Sequence, residues 1–389
     1  MFTQLACALG RRFDVTAICG QPVDEASFEG DLPAALPPTV RVVRVPHTRF
    51  AKQHVGGRLV NWASYALLTL VVGLSRRADV IIVATDPPIL GVVACMLALW
   101  HRCPVITSCQ DLYADVACRI GMVERGRAYG LLDAVTRWAL RRSDLVVALS
   151  RDMASLLEAK QVSPSQIEII PNWADTGAIS PVERDDTNPI VRELDLRGRF
   201  TIMYAGNIGL AQDFESWLEA LRQLDAPRES WTALVVGDGV RRGWLEQRIR
   251  ELGISGNVRL LPRQPDARLP AVLGAASLHV VPLRKGLAGC VAPSKVYPIL
   301  AAGRPFLAIA DRDCEMTREA VEHGCGIWAP AGDAAAVRER LEWALAHVDE
   351  LRRMGDRARL RAVACYDSVA LLDRWTEAVS ARSARRPSA

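Results

Sequence analysis

The chain contains no run of about twenty apolar residues, the length a helix needs to cross a bilayer. Its longest uncharged stretch, Leu59–Leu74, falls short of that, includes Asn61, Ser64 and Thr69, and is flanked by Arg58, Arg76 and Arg77. Two readings fit it: a helix buried on a parallel sheet, or a face resting on a membrane interface with its arginines toward anionic lipid. No secretory signal is visible at the N-terminus. There is also no C-x-x-C pair among the ten cysteines, and the six histidines are scattered, so no zinc-ligand spacing exists. The cysteines read as reduced, buried small hydrophobes of a cytoplasmic protein. A net charge of +4 over 389 residues, with no basic stripe interleaved with aromatics, gives no nucleic-acid footprint.

What is present is globular: 50% hydrophobic and 24% charged residues, in a length that suits two α/β domains. Short β-branched runs alternate with helix-length stretches throughout. FDVTAICG, RVVRV, DVIIVAT, PVITSC, LVVALS and IEIIPN lie in the first half, and FTIMYAG, TALVVGDG, VRLLPR, LHVVPL and PFLAIA in the second. Continuously apolar strands mean sheets covered on both faces, as in parallel α/β architecture. The polar stretch Thr176–Arg199 marks the change of domain near its start. The expected divisions are residues 1–180, residues 181–370, and a helix end with a disordered tail over residues 371–389, closing in SARSARRPSA. The opening QLACALGRRFDVTAICG reads as a helix followed by a strand, whereas a Rossmann-like domain starts with a strand and a glycine-rich turn. The first strand of the N-terminal domain is therefore expected to be missing, through a start set too late or a true truncation.

Three turns at strand ends in the second half could hold an anion. Gly206-Asn207 follows the strand FTIMYA, Gly237 follows ALVV, and Pro293-Ser294-Lys295 leads into a helix. Glycine at such a turn lets backbone N–H groups approach a phosphate; a helix start adds a favourable dipole and Lys295 a point charge. Each could equally be an ordinary turn or cap. Their occurrence together points to one phosphate-bearing ligand. In the first half, Asp111 follows the strand PVITSC, where a carboxylate can take a proton from a hydroxyl or merely cap a helix. None of the histidines, His54 and His279 included, has a base-plus-orienter context. Asp311-Arg312-Asp313 imitates a metal-binding D-x-D but lies late in the second half, with nothing else to suggest coordination.

YAGNIGLAQ, VVGDG, NVRLLPRQP, PSKVYPILAAGRP and HGCGIWAPAGD, with TDPP, CQDLYADVA and IIPNWAD before them, resemble the family 4 glycosyltransferases of the GT-B fold. Within that family the resemblance is to the subgroup of colanic-acid and O-antigen L-fucosamine transferases, and it runs from residue 5 to about 375. It implies two Rossmann-like domains whose parallel sheets face each other across a cleft. It further implies a retaining transfer, without a cofactor or metal, from a nucleoside-diphosphate sugar, UDP first, to a polyprenyl-diphosphate-linked saccharide in surface-polysaccharide synthesis. Such an acceptor would hold the protein peripherally at the inner membrane. By the same resemblance Gly206, Asn207, Gly237, Arg263, Gln264, Pro293, Ser294, Lys295 and Glu315 line the donor site. Asp111 is the catalytic candidate, and Asp86, Tyr113 and Asp115 lie on the acceptor side. The sequence departs from the family where an Arg and a Lys are common after the glycine turn, with Asn207 and Gln212 there instead. It departs again where two glutamates stand eight residues apart, here Cys290 and Pro298. Two further readings stay open: a catalytically silent GT-B subunit that binds a partner transferase, and a GT-B sugar-nucleotide epimerase.

Overall fold

The computed structural model describes residues 1–21, 36–50 and 55–384; His54 and the last five residues of the expected tail lie outside the described residues. The chain divides into two compact units. One comprises Met1–Pro171, Cys290–Ala292 and Val369–Ala389, the other Asn172–Gly289 and Pro293–Ser368. The break thus falls at Pro171, and most of the final helix belongs to the first unit.

The first unit has two parallel ladders. β1 (Val15–Gly20) pairs with β2 (Val40–Val45), and β3 (Ile81–Ala84), β4 (Val105–Ser108), β5 (Leu145–Ala148) and β6 (Ile167–Ile169) pair in sequence order. No strand among the described residues joins the two ladders. Their helices are α1 (Phe2–Leu9), α2 (Val55–Leu74), α3 (Leu90–His101), α4 (Tyr113–Arg119), α5 (Arg127–Arg142) and α6 (Arg151–Ala159). Strands β4 and β5 are buried at every position, as continuous apolar runs require when both faces are covered. The uncharged run forms α2, but not as a buried helix. A Cβ on Gly73 would meet Leu97 at 2.5 Å, so α2 lies tightly on α3 through Ala66, Val93 and Leu97. Its other side leaves Leu67 and Val71 more than half exposed.

The second unit is one six-stranded parallel sheet of β7 (Phe200–Ala205), β8 (Trp231–Val236), β9 (Val258–Leu261), β10 (Leu278–Pro282), β11 (Phe306–Ala310) and β12 (Gly326–Pro330). The spatial order is β12-β11-β10-β7-β8-β9, so the chain reverses direction across the sheet between β7 and β10. Helices α7 (Pro189–Glu193), α8 (Phe214–Arg222), α9 (Arg242–Glu251), α10 (Leu269–Gly274), α11 (Val296–Ala301), α12 (Glu315–Val321), α13 (Ala334–Ala346) and α14 (Val348–Cys365) accompany it, and α15 (Ser368–Ser383) returns to the first unit. Phe214 and Trp217 of α8 pack with Tyr204 of β7 in the core. Sequence patterning missed β12. Its run, GIWAP, opens on glycine and closes on proline, two residues that argue against a strand. The structure supplies the reason for the glycine: a Cβ on Gly326 would lie 1.9 Å from the Phe306 carbonyl oxygen on the paired strand.

Gly326→Val is therefore expected to unpair β12 and destabilise the protein by about 2–3 kcal/mol or more, the scale of overpacking in a rigid interior. Thermal melts of the variant and the wild type would show it; an unchanged Tm would mean that the β11–β12 pairing is looser than described.

Candidate functional site

The carboxyl ends of the second unit's strands carry the residues expected at the donor site. In an open α/β sheet ligands bind where the strand order reverses, here beyond the ends of β7 and β10. Gly206, directly after β7, has φ +148° and Gly237, directly after β8, has φ +144°. Both values favour glycine. The two strand ends approach so closely that a Cβ on Gly237 would fall 2.1 Å from the Gly206 carbonyl oxygen. Gly239, at φ +157°, packs in the same way against the Ile208 carbonyl. Only bare backbone can line this turn.

Lys295 lies across it. Its Cε would sit 3.0 Å from a Cβ on Gly206, its ammonium donates to the Tyr204 hydroxyl at 2.8 Å, and Nζ stands 4.4 Å above the Tyr204 ring. Tyr204 is fully buried and donates in turn to the Asn207 carbonyl at 2.5 Å, while burial pushes its phenol pKa up. Lys295 has no carboxylate partner among the described residues, and burial lowers its pKa to about 7. A cation held without a counter-ion suits an anionic ligand, whereas the Gly206, Ile208, Gly209, Gly237 and Gly239 N–H groups beside it are already hydrogen-bonded within the protein. The expectation for Ser294 needs correction. Helix α11 begins at Val296 with Lys295 as its cap residue, and the Val296 N–H turns back to the Pro293 carbonyl at 3.1 Å. No serine cap is formed; the lysine ammonium is the group presented at the turn.

The remaining donor-side candidates spread along the same sheet end. Arg263 and Gln264 follow β9, Arg263 in an exposed pair with Asp266 at 3.6 Å and Gln264 donating to the Pro262 carbonyl at 3.1 Å. Glu315 opens α12 after β11 and pairs with Arg318 at 3.0 Å. Asn207 is exposed on the glycine turn, and Gln212 accepts the Gly209 N–H at 2.9 Å, so neither replaces a lost cation. Sequence reasoning missed two cations beside this loop. Arg241 donates through its guanidinium to the Gln212 carbonyl at 3.5 Å, and Arg284 to the Leu210 carbonyl at 3.4 Å. The two bracket the loop, and burial, together with Arg284, lowers the Arg241 pKa. Their signal was position, each a few residues beyond the carboxyl end of a strand. Asp311 accepts the Gly286 N–H at 2.8 Å and so ties a loop. His279 lies buried in β10, where burial lowers its pKa to about 4.

In the first unit Asp111 forms an isolated antiparallel bridge with Val291 just past the end of β4. The cap of α4 is Leu112, so capping does not account for Asp111. Burial raises its carboxyl pKa to about 6, and the charge of Asp86 adds to the rise. Asp111 and Tyr113 help line a cavity of about 20 Å³, with Thr85 and Pro88, which has room for about one water. Tyr113 meets Trp62 edge to face at 5.8 Å. Asp115 is committed elsewhere: Lys160 reaches it at 2.7 Å and Asp133 at 2.5 Å, tying α4, α5 and the end of α6 together. Burial alone would lower the Lys160 pKa, but the two carboxylates outweigh it and raise the value. Asp115 is thus brought into a structural ion cluster and not into the Asp111 cavity.

Comparison with known proteins gives the family and the fold. The family described as "Glycosyl transferase 4-like domain" matches residues 1–173, and "Glycosyl transferases group 1" matches residues 188–361. The chain belongs to family 4 of the GT-B glycosyltransferases. It is 26% identical over 272 residues to the probable glycosyltransferase WbjE of Pseudomonas aeruginosa, covering 69% of this chain and 66% of that one. It is 29% identical over 225 residues to WcaI of Escherichia coli, a putative colanic acid biosynthesis glycosyl transferase, covering 57% and 54%. The chain therefore spans just under two thirds and just over half of those relatives. The Anabaena protein HepE, solved with UDP and glucose, superposes with a TM-score of 0.73 at 17% identity over 98% of this chain and 95% of that one. Both parts of the fold read from the sequence, two Rossmann-like units with parallel sheets, are those of GT-B proteins.

An unpaired buried lysine costs stability, which makes its purpose testable. Because the folded pKa of Lys295 lies below the unfolded one, the cost is complete below pH 7 and fades as pH rises toward 10.5. Lys295→Met should thus melt above wild type at pH 6–7, with the gap closing in alkali, while losing affinity for UDP by about 1–3 kcal/mol in calorimetry. A variant less stable than wild type at pH 6, or one that binds UDP equally well, would show that the lysine serves packing.

Proposed function

We propose that the protein is a retaining glycosyltransferase that moves a sugar from a UDP donor to a lipid-linked saccharide in bacterial surface-polysaccharide synthesis. The observation that carries this reading is Lys295 held over the Gly206 turn without a counter-ion. The UDP bound by HepE and the colanic-acid role in the name of WcaI support the donor and the pathway. In this scheme the second unit holds the diphosphate by the cations beside the glycine turn, Lys295, Arg241 and Arg284. Charge gathers on the diphosphate as the glycosidic bond to it breaks, and fixed donors already in place stabilise it without reorganising. Asp111 in the first unit accepts the proton of the attacking acceptor hydroxyl, for which a pKa of about 6 suits a base at neutral pH. Attack from the face that the diphosphate leaves retains the anomeric configuration and needs no protein nucleophile or metal. No described helix is long and apolar enough to cross a membrane, so a lipid-linked acceptor would be met by a protein held peripherally at the inner membrane.

A catalytically silent subunit is the second reading, favoured by one observation. Cys290, where family members carry a glutamate, is buried with Cys109 in the first unit's core and cannot hold a ribose. A screen of UDP-, GDP- and dTDP-sugars for hydrolysis or transfer separates the two; a folded protein inert toward all of them would reject the enzyme reading.

Asp111→Asn is expected to lower kcat by about 10²–10⁴-fold with donor affinity unchanged, the usual scale for a lost general base. The wild-type rate should climb as pH rises through about 6, where Asp111 ionises, and the variant should lose that limb. A near-normal kcat in the variant would leave the base unassigned. Activity should also survive EDTA and Asp311→Asn, since Asp311 already serves the Gly286 N–H; rescue of a chelated enzyme by Mg²⁺ or Mn²⁺ would contradict the metal-free scheme.

A further inference from the structure

We propose that the outer face of α2, α3 and α5 in the first unit docks on a lipid bilayer, and that the arginine-lined cavity beside it takes the phosphate headgroup of an anionic phospholipid. The inference deepens the peripheral association proposed above and locates it.

Three neighbouring helices each turn an apolar stripe to solvent. On α2 the exposed residues Val60, Leu67, Val71 and Leu74 follow spacings of seven, four and three, which place them on one side of a helix over about 21 Å. On α3 Met96, Leu99 and Trp100 are exposed, the last two at 68% each. On α5, which packs against α3, Leu131 and Trp138 are exposed. Large apolar side chains exposed singly are ordinary, but exposed sets on three helices packed in series call for a partner.

Charge says which partner. Helices α2 and α3 contain no acidic residue, and the single acid of α5, Asp133, is turned to Lys160 and Arg137. Cations gather where these helices end: Arg76 and Arg77 just beyond α2, Arg102 at the cap of α3, Arg142 at the last turn of α5, and Arg382 at the last turn of α15. Arg102, Arg142 and Arg382 line a cavity of about 530 Å³, and Leu99 of the apolar stripe lines it too. None of the three pairs with a carboxylate among the described residues. The Nε of Arg382 is buried and has no hydrogen-bond partner, and Arg142 sits 4.9 Å over the Trp138 ring. The one acid in the wall, Asp144, already accepts the Val105 N–H at 2.8 Å. Arg102 even holds a left-handed backbone, φ 53°, at a helix end where glycine is usual. Helix C-termini favour cations, but that does not explain three of them left unpaired around a cavity.

Guanidinium forks match phosphate oxygens, and the adjoining stripe gives acyl chains a path down α3. A free phosphate would use the arginines alone; a lipid uses both. Sedimentation with vesicles needs no substrate, so it stands or falls independently of the donor screen. The full chain should pellet with vesicles of phosphatidylcholine and phosphatidylglycerol at least ten-fold more tightly than with phosphatidylcholine alone. Leu67→Glu with Leu99→Glu should abolish that binding, and Arg102→Gln with Arg142→Gln should remove the preference for the anionic lipid, each variant keeping the wild-type Tm and UDP affinity. Equal binding to both vesicles, or binding untouched in either variant, would overturn the proposal. So would a dimer in light scattering that Leu67→Glu dissociates while vesicles bind nothing, or inorganic phosphate that stabilises the arginine cavity of a protein with no affinity for vesicles.

Discussion

The close approach of two strand ends, Gly206 and Gly237, is the constraint on which the second unit's chemistry depends. No side chain fits between them, so the floor of the turn is peptide backbone. The sheet behind it is buried and largely apolar, and the polar group it brings to the turn is the uncharged Tyr204 hydroxyl. Any charge for the site must come from loops that reach over the strand ends. Lys295 does so from the segment after β10, and Arg241 and Arg284 do so from the loops after β8 and β10. Burial without a counter-ion lowers the pKa of the lysine and costs the folded state stability while the ammonium is charged.

The first unit answers a different demand. Its carboxylates divide by environment: Asp115 and Asp133 share Lys160, with Arg137 also on Asp133, and serve the helix packing, whereas Asp111 has no such cation and has its pKa raised to about 6. Two acids four residues apart in the chain thus take opposite parts because one points to a lysine and the other into a nearly closed cavity.

Much of this was legible in the sequence, and for physical reasons. Short apolar runs rich in β-branched residues marked eleven of the twelve described strands, because a strand covered on both faces admits little else. Gly206 and Gly237 stood out as candidates because each directly follows such a run, and Asp111 because it lies three residues past the end of β4. What escaped depends on three-dimensional pairing. Strand β12 is set by a steric gap at Gly326 that no propensity records. The partnership of Asp115 with Lys160 links residues far apart in the chain, and so does the bracketing of the glycine loop by Arg241 and Arg284. The serine before α11 looked like a cap, yet the helix starts one residue too late for it. As for α2, composition could not separate a buried helix from one with an outward apolar stripe, since both are equally uncharged.

The central claim is that Lys295 waits, largely uncharged in weak alkali, for a diphosphate. Calorimetry of nucleotide-sugar binding at pH 8, repeated in buffers of different ionisation enthalpy, reads that directly, because the donor itself does not titrate there. The account predicts uptake of close to about one proton per donor bound at pH 8 and almost none at pH 6, with the uptake gone in Lys295→Met. Donor binding at pH 8 without proton uptake, or uptake that persists in Lys295→Met, would contradict it.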